Sequence, residues 1–345
     1  MTPSPSALEL AREKKLKTPF ILLDEERIAA NYRAVAEAFG PDIGIFFAVK
    51  ANNHPLALHA IEKCGGNFDV ASAAELSLLC DMGIEGSRVT FSNPVKVPDD
   101  VAYAHERGVR LFAFDSDDEI PKIAAFAPGA QLCVRLAVDN TGSGWPLSGK
   151  FGVNDDEAVR LLMKAKEAGL EPVGTTFHVG SQCENVRNWR SAVEHCAHVW
   201  KKAAAAGVKL SVLNLGGGLP APYRQGLPTV AEIGGEATRA IRELLPEASR
   251  VMIEPGRFLV ADAGVFVASV IGRAVRNGEK KIYLDAGVFN GLMETYETFW
   301  YPVQCLTKGA PAHKELVSLV GPSCDSIDVI VKDIELPALG VGDRV

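Results

Sequence analysis

Between residues 43 and 255 the chain alternates two patterns of apolar and polar positions. Short β-rich apolar runs occur at IGIFFAV (43–49), FDVA (68–71), VTFS (89–92), LFAF (111–114), LCVRLAV (132–138), PVGTTFHV (172–179), LSVLNL (210–215) and VMIEP (251–255). Between them lie stretches whose apolar residues recur with helical spacing, such as HPLALHAIEKC (54–64), AAELSLLCDMG (73–83), DEAVRLLMKAKEAG (156–169) and NWRSAVEHCAHVWKKAAAAG (188–207). Several of these end in Gly, the usual helix-terminating residue. Apolar strands alternating with amphipathic helices predict a parallel sheet covered on both faces. Eight such units predict a (β/α)8 barrel of TIM type over residues 25–263 rather than an open doubly wound sheet.

The rhythm changes after about residue 264. VFVASVIGRAVR, KKIYLDAG, ELVSLVG, DSIDVIV and GDRV read as strands broken by Gly, Pro and charged turns. They predict a second, mostly β domain over 264–345, of sandwich or Greek-key barrel type. FILLDEERI (20–28) opens with a strand-like run, which assigns residues 1–24 to the same domain.

Composition narrows the function classes. With 47% hydrophobic and 23% charged residues the 345-residue chain is an ordinary globular protein. A formal net charge of -7 argues against a nucleic-acid surface and suits a cationic substrate. The first residues lack the apolar core of a signal peptide, and no run reaches membrane-spanning length, so a cytoplasmic protein with no membrane partner is expected. Seven cysteines without a CxxC pair point to reduced thiols, not to a disulfide framework or a metal site.

In a barrel, the chemistry gathers where strands end. The first strand ends in Lys50, where desolvation would favour the neutral, nucleophilic amine over a lysine that merely snorkels to water. The second strand carries Asp69, followed by Glu75, and the fifth carries Arg135. The sixth ends in His178, then Gly180 and Ser181. The seventh runs into Gly216, Gly217 and Gly218, whose backbone can approach an anion closely. The eighth ends in Glu254, Gly256 and Arg257, and Arg257 offers a charged fork to the same anion. A Glu254–Arg257 ion pair and a hydrogen-bonded structural His178 are the plainer alternatives.

The motifs FFAVKAN, FDVASAAE, FHVGSQ, LGGGLP, EPGR and GPSCDSID, in that order, resemble the fold-type III decarboxylases that use pyridoxal 5'-phosphate (PLP), specifically the ornithine/lysine branch. The resemblance runs from about residue 18 to the end. It implies that Lys50 carries the cofactor as a Schiff base, that Glu254 pairs with its ring nitrogen, and that His178 stacks on the ring. It implies that Ser181, Gly216, Gly217, Gly218, Gly256 and Arg257 hold the phosphate, and that Asp69, Glu75 and Arg135 support the Lys50 and ring environment. In this family the CDSID segment serves the neighbouring subunit. Cys324 would then protonate the substrate carbon and Asp325 would bind the distal amine of a small amino-acid substrate, within an obligate homodimer. A second substrate-binding Asp of the eukaryotic relatives falls at Ala286, with Asp285 one residue earlier as the available carboxylate. Relatives usually continue several tens of residues past GDRV with a tyrosine for the phosphate site. Alternatives within the class are decarboxylases of arginine, of diaminopimelate or of a less common amino acid. Beyond it stand an inactive regulatory paralogue and a racemase. Lys50 and Cys324 argue against the paralogue, and GPSCDSID points away from the racemase.

Overall fold

The computed structural model describes residues 5–13, 15–147, 149–296 and 299–345. The chain divides into two compact units, one built from Glu25–Ala221 and Gly226–Ala261, the other from Met1–Asp24, Pro222–Gln225 and Asp262–Val345.

In the first unit eight parallel strands close into a barrel in sequence order: Ile43–Ala48, Asn67–Val70, Val89–Phe91, Leu111–Phe114, Gln131–Arg135, Glu171–Thr176, Val212–Asn214 and Arg250–Ile253. Closure is made by the eighth strand on the first, with Val251 opposite Ile43 and Ile253 opposite Ile45. Phe46, Leu111, Cys133, Val212 and Met252 fill the interior as one packed layer, so the barrel is a core and not a pore. The helices dock by apolar stripes. Helix Arg187–Ala205 buries Trp189, Val193, Cys196, Val199 and Trp200, and Trp200 Nε1 donates to Thr175 Oγ1 at 2.9 Å. Each such side chain contributes about 1.5–3 kcal/mol by leaving water. Helix starts are set locally. Asn154 caps Asp155–Glu167, and Thr229 with Glu232 forms a reciprocal capping box on Val230–Leu244.

The second unit is mostly sheet. Strand Phe20–Leu23 pairs antiparallel with Gly264–Val267. A separate four-stranded sheet is ordered Val270–Arg276, Glu279–Leu284, Lys314–Val320, Val329–Pro337. Its middle pair is parallel and its outer pairs are antiparallel. The core is Val270, Ile282, Leu284, Val317, Leu319, Ile334 and Leu336. Two strand assignments from the sequence change. VFVASVIGRAVR is two strands, interrupted at Ala268 and Ser269, and GDRV contributes only a single bridge, Ser269 to Arg344. The GDRV backbone still bonds to the interrupted segment, Val345 exchanging two bonds with Ala268 at 3.0 Å and Asp343 O accepting Val270 N at 2.8 Å, while the Arg344 guanidinium donates to the carbonyls of Ala11, Glu13 and Leu16.

Gly174 in the sixth strand sits opposite Val212, and a Cβ built on it would lie 2.0 Å from the Val212 carbonyl oxygen. Gly174→Ala is therefore expected to force the sixth and seventh strands apart. The expected cost is about 1–3 kcal/mol, the range for overpacked cores. A urea titration checks this, with a lowered midpoint at unchanged slope as the expected result and an unchanged midpoint as the contrary one.

Candidate active site

The C-terminal ends of the strands bring most of the predicted residues into one mouth. Asp69 and Glu254 are both buried there, at 3% and 7% exposure. Asp69 Oδ1 accepts the Ser92 backbone N–H at 2.9 Å, while the Ser92 hydroxyl donates to Glu254 Oε1. Asn214 Nδ2 also donates to Glu254 Oε1, at 2.6 Å, and Asn214 Oδ1 accepts from Gly216 N at 2.9 Å. Ser92 follows the third strand and Glu254 the eighth, so their bond spans the barrel interior above two intervening strands. Burial pushes Asp69 up to about 8, and the negative charge of Glu254 pushes the same way, against the smaller effect of Lys50.

The glycine turn is built by close approach. Gly216 has φ +61°, and a Cβ there would lie 1.9 Å from the Phe177 carbonyl oxygen. A Cβ on Gly217 would meet the Glu254 carbonyl oxygen at 2.7 Å and His178 Nε2 at 2.9 Å. The turn is clamped from the adjoining loop: Cys183 N donates to Gly218 O at 2.9 Å, and the Gln182 amide exchanges two hydrogen bonds with the Ala221 backbone, at 2.7 and 2.8 Å. Gln182 holds this pose with φ +55°.

His178 Nδ1 accepts the Gly180 N–H at 3.0 Å, and Asn140 donates to the His178 carbonyl at 3.1 Å. Burial holds His178 well below the ordinary imidazole range, reinforced by the charges of Arg135 and Lys50, so the ring is neutral at physiological pH. Arg135 ends the fifth strand, and its charge reaches Glu254, Asp115 and Asp69. Arg257 Nε donates to Ser181 Oγ at 3.2 Å, which places a guanidinium and a hydroxyl beside the glycine turn. Gly256 lies close to Ala51 and Ala48, where a Cβ built on it would come within 3.0 Å of the Ala51 Cβ, and so packs the eighth strand's exit onto the turn Val49–Ala51 that carries Lys50.

Three expectations are corrected. Lys50 is exposed on that turn, two residues past the strand end at Ala48, so the chain alone does not desolvate its amine. Glu75 does not support the mouth. Its Oε2 accepts the Ala71 N–H at 2.7 Å while Ser72 caps Glu75 N, because an acidic residue in a helix's first turn satisfies free N–H groups. Asp285 is committed within the second unit, Oδ2 to the Thr18 hydroxyl at 2.5 Å and Oδ1 to Ser269 N at 2.8 Å. Each oxygen thus already accepts a bond from within the second unit.

Cys324 and Asp325 stand exposed on a loop of the second unit. Asp328, buried at 3%, organises that loop: Oδ1 accepts Val288 N at 2.7 Å and Oδ2 accepts Ser323 N at 3.0 Å. Gly287 and Gly321 leave the space its carboxylate occupies. Ser92, Asn214, Gln182 and Asp328 escaped the sequence reading. The available signal was a polar residue ending or following an apolar strand, as in VTFS and VLNL. Among the described residues no group of three His, Cys, Asp or Glu is placed to hold a metal ion, and no helix is long and apolar enough to cross a membrane.

The family described as pyridoxal-dependent decarboxylase, pyridoxal binding domain, matches residues 25–261. A lysine/ornithine decarboxylase of Selenomonas ruminantium is 37% identical over 336 residues, spanning 96% of this chain and 84% of its own. Among solved structures, the lysine/ornithine decarboxylase of Vibrio vulnificus complexed with putrescine superposes with a TM-score of 0.88 at 32% identity, covering 99% of this chain and 92% of that one. The arginine decarboxylase of Paramecium bursaria Chlorella virus, bound to agmatine, gives 0.91 at 28% identity, with 98% and 92% covered.

The Asp69 environment has a consequence for stability. In the unfolded chain Asp69 is an ordinary carboxyl, near ~3.9; in the folded protein it releases its proton near 8. Its contribution is complete below the unfolded value and is lost as pH rises through the folded one. Asp69→Asn, which mimics the neutral carboxyl, is therefore expected to gain stability relative to wild type between about pH 5 and pH 9. Urea unfolding across that range is the check. A difference that stays constant with pH contradicts the assignment.

Proposed function

The chain belongs to the pyridoxal-dependent decarboxylases, and from that premise we propose that it removes the α-carboxyl group of ornithine or lysine to give a diamine and carbon dioxide. The observation that carries the cofactor seat is the convergence of Lys50, Glu254, His178 and the glycine turn on one barrel mouth. The residues fit pyridoxal 5'-phosphate. A side chain at Gly216 or Gly217 would collide with the Phe177 or Glu254 carbonyl and displace the turn, and the surrounding donors, Ser181, Arg257 and the turn's N–H groups, are those an anionic phosphate needs.

In this reading Lys50 holds the aldehyde carbon, Glu254 the ring nitrogen and His178 one ring face. Ser181, Gly216, Gly217, Gly218, Gly256 and Arg257 hold the phosphate. When bound, the group supplies an electron sink for the charge left on Cα as carbon dioxide departs. Glu254 keeps a proton on the ring nitrogen, which deepens that sink. A neutral His178 packs on the ring without adding positive charge beside it. The charge of Arg135 reaches Glu254 and Asp69 beneath this seat. Cys324 returns a proton to Cα, a role its exposure permits, and Asp325 pairs with the distal amine.

The reading includes a homodimer in which one copy lends Cys324 and Asp325 to the other's site. In its support, the unit bearing them exposes Phe289, Met293, Tyr296, Trp300 and Ile327, more large apolar surface than a solvated loop region requires. The free cysteines and the charge balance suit a cytoplasmic enzyme. Arginine is the second substrate to weigh, because the viral arginine decarboxylase shares the fold over nearly the whole chain.

Two measurements test this. Carbon dioxide release from ornithine, lysine, arginine and diaminopimelate should favour the first two, and release from diaminopimelate alone would overturn the substrate reading. Lys50→Ala and Cys324→Ala proteins, each inactive, should on mixing recover about a quarter of wild-type activity, the statistical yield when half the dimers are mixed and one of their two sites is intact. No recovery, with exchange of subunits verified, would contradict shared sites.

A further inference from the structure

Glu254 is held in an asymmetric way. Both hydrogen bonds to its carboxylate, from the Ser92 hydroxyl and from Asn214 Nδ2, fall on Oε1. Both donors are neutral and buried, at 8% and 2% exposure. They come from opposite sides of the barrel, one after the third strand and one at the end of the seventh. Two bonds converging on one oxygen from different directions fix the plane of a carboxylate and free the other oxygen for a further partner.

Ser92 is itself rigidly placed. Its backbone N–H is bound to Asp69. The segment after it is tied down by Lys96, whose Nζ donates to the carbonyls of Asn93, Pro94 and Ala113 at 2.9, 3.0 and 2.5 Å and pairs with Glu119 at 3.2 Å. The Ser92 hydroxyl thus has a fixed origin, and its reach to Glu254 is a built feature of the mouth.

We propose that Ser92 is a positioning residue for the reaction: its hydroxyl, acting with Asn214, locks Glu254 by Oε1 so that Oε2 is presented to the cofactor's ring nitrogen. The proposal rests on the cofactor reading above and adds to it a residue outside the motifs that carry the resemblance. Ser92 touches neither substrate nor cofactor in this role and acts through Glu254. Its removal should therefore affect how the reaction proceeds more than how tightly substrate binds.

The test compares wild type, Ser92→Ala and Ser92→Thr, each as purified full-length protein reconstituted with pyridoxal 5'-phosphate. Ser92→Ala should lower kcat about tenfold with KM changed less than about twofold, the split expected when orientation and not ground-state binding is lost. It should also raise at least severalfold the fraction of turnovers that end in the aminated cofactor and an aldehyde instead of the amine. Its affinity for the cofactor, measured by absorbance titration of the cofactor-free protein, should fall several-fold, while the thermal unfolding of that protein stays close to wild type. Ser92→Thr, which keeps the hydroxyl, should restore the wild-type product ratio. Wild-type kcat and product ratio in Ser92→Ala would overturn the proposal, as would equal loss in the alanine and threonine variants when both unfold like wild type. Failure of the wild-type protein to take up pyridoxal phosphate would overturn the cofactor reading and this one together.

Discussion

Two carboxylates are buried within one barrel mouth, and much of the site can be read as the protein's way of accommodating them. An acid stripped of water resists ionisation, and a second negative charge nearby strengthens the resistance. Asp69 yields to that pressure and titrates far above the carboxylate range. Glu254 is supplied with neutral donors, Ser92 and Asn214, and with the nearby charge of Arg135. Placing two like groups in one site and giving them different partners is a general route to assigning different protonation roles. Here the two carboxylates differ in their partners: Asp69 accepts a backbone N–H from Ser92, and Glu254 accepts side-chain donors from Ser92 and Asn214.

The scaffold makes this arrangement affordable. Short strands end in register, so groups from the second, third, seventh and eighth strands meet at one level although they are up to 185 residues apart in sequence, the separation between Asp69 and Glu254. Backbone packing then does what side chains cannot. The turn at Gly216–Gly218 nests against the His178 and Glu254 segments, and Gly256 nests against the turn bearing Lys50. The second unit repeats the logic with Asp328, a buried carboxylate satisfied by two backbone N–H groups, which shapes the loop displaying Cys324 and Asp325.

The barrel was legible in the sequence because its strands are buried on both faces. Unbroken apolar runs such as LFAF and FFAV leave little ambiguity about burial, and the helices between them keep a clear period. The motif residues were legible because charged and glycine residues gather at one end of otherwise apolar strands. The second unit was harder to read. Its strands are half-exposed, and whether Val329 or Asp325 begins a strand depends on where Asp328 finds its N–H donors. The partners of the site were not legible at all. Ser92 looks like any strand-ending serine until the barrel closes and brings Glu254 across from the eighth strand. Asp285 looks like a free carboxylate until the N-terminal segment delivers Thr18 to it. Glu75 reads as a mouth residue until its carboxylate is seen to accept the Ala71 N–H just ahead of its own helix. Each misreading arose from a contact between segments distant in sequence, or from a local bond that competed with the site for the same side chain.

In the proposed function Glu254 is the group that would fix the protonation of the cofactor's ring nitrogen. The direct measurement is the nitrogen-15 chemical shift of pyridoxal phosphate labelled at that nitrogen and bound to the protein at neutral pH. The expected result is a protonated nitrogen in wild type and an unprotonated one in Glu254→Ala. The same shift in both proteins would contradict the account.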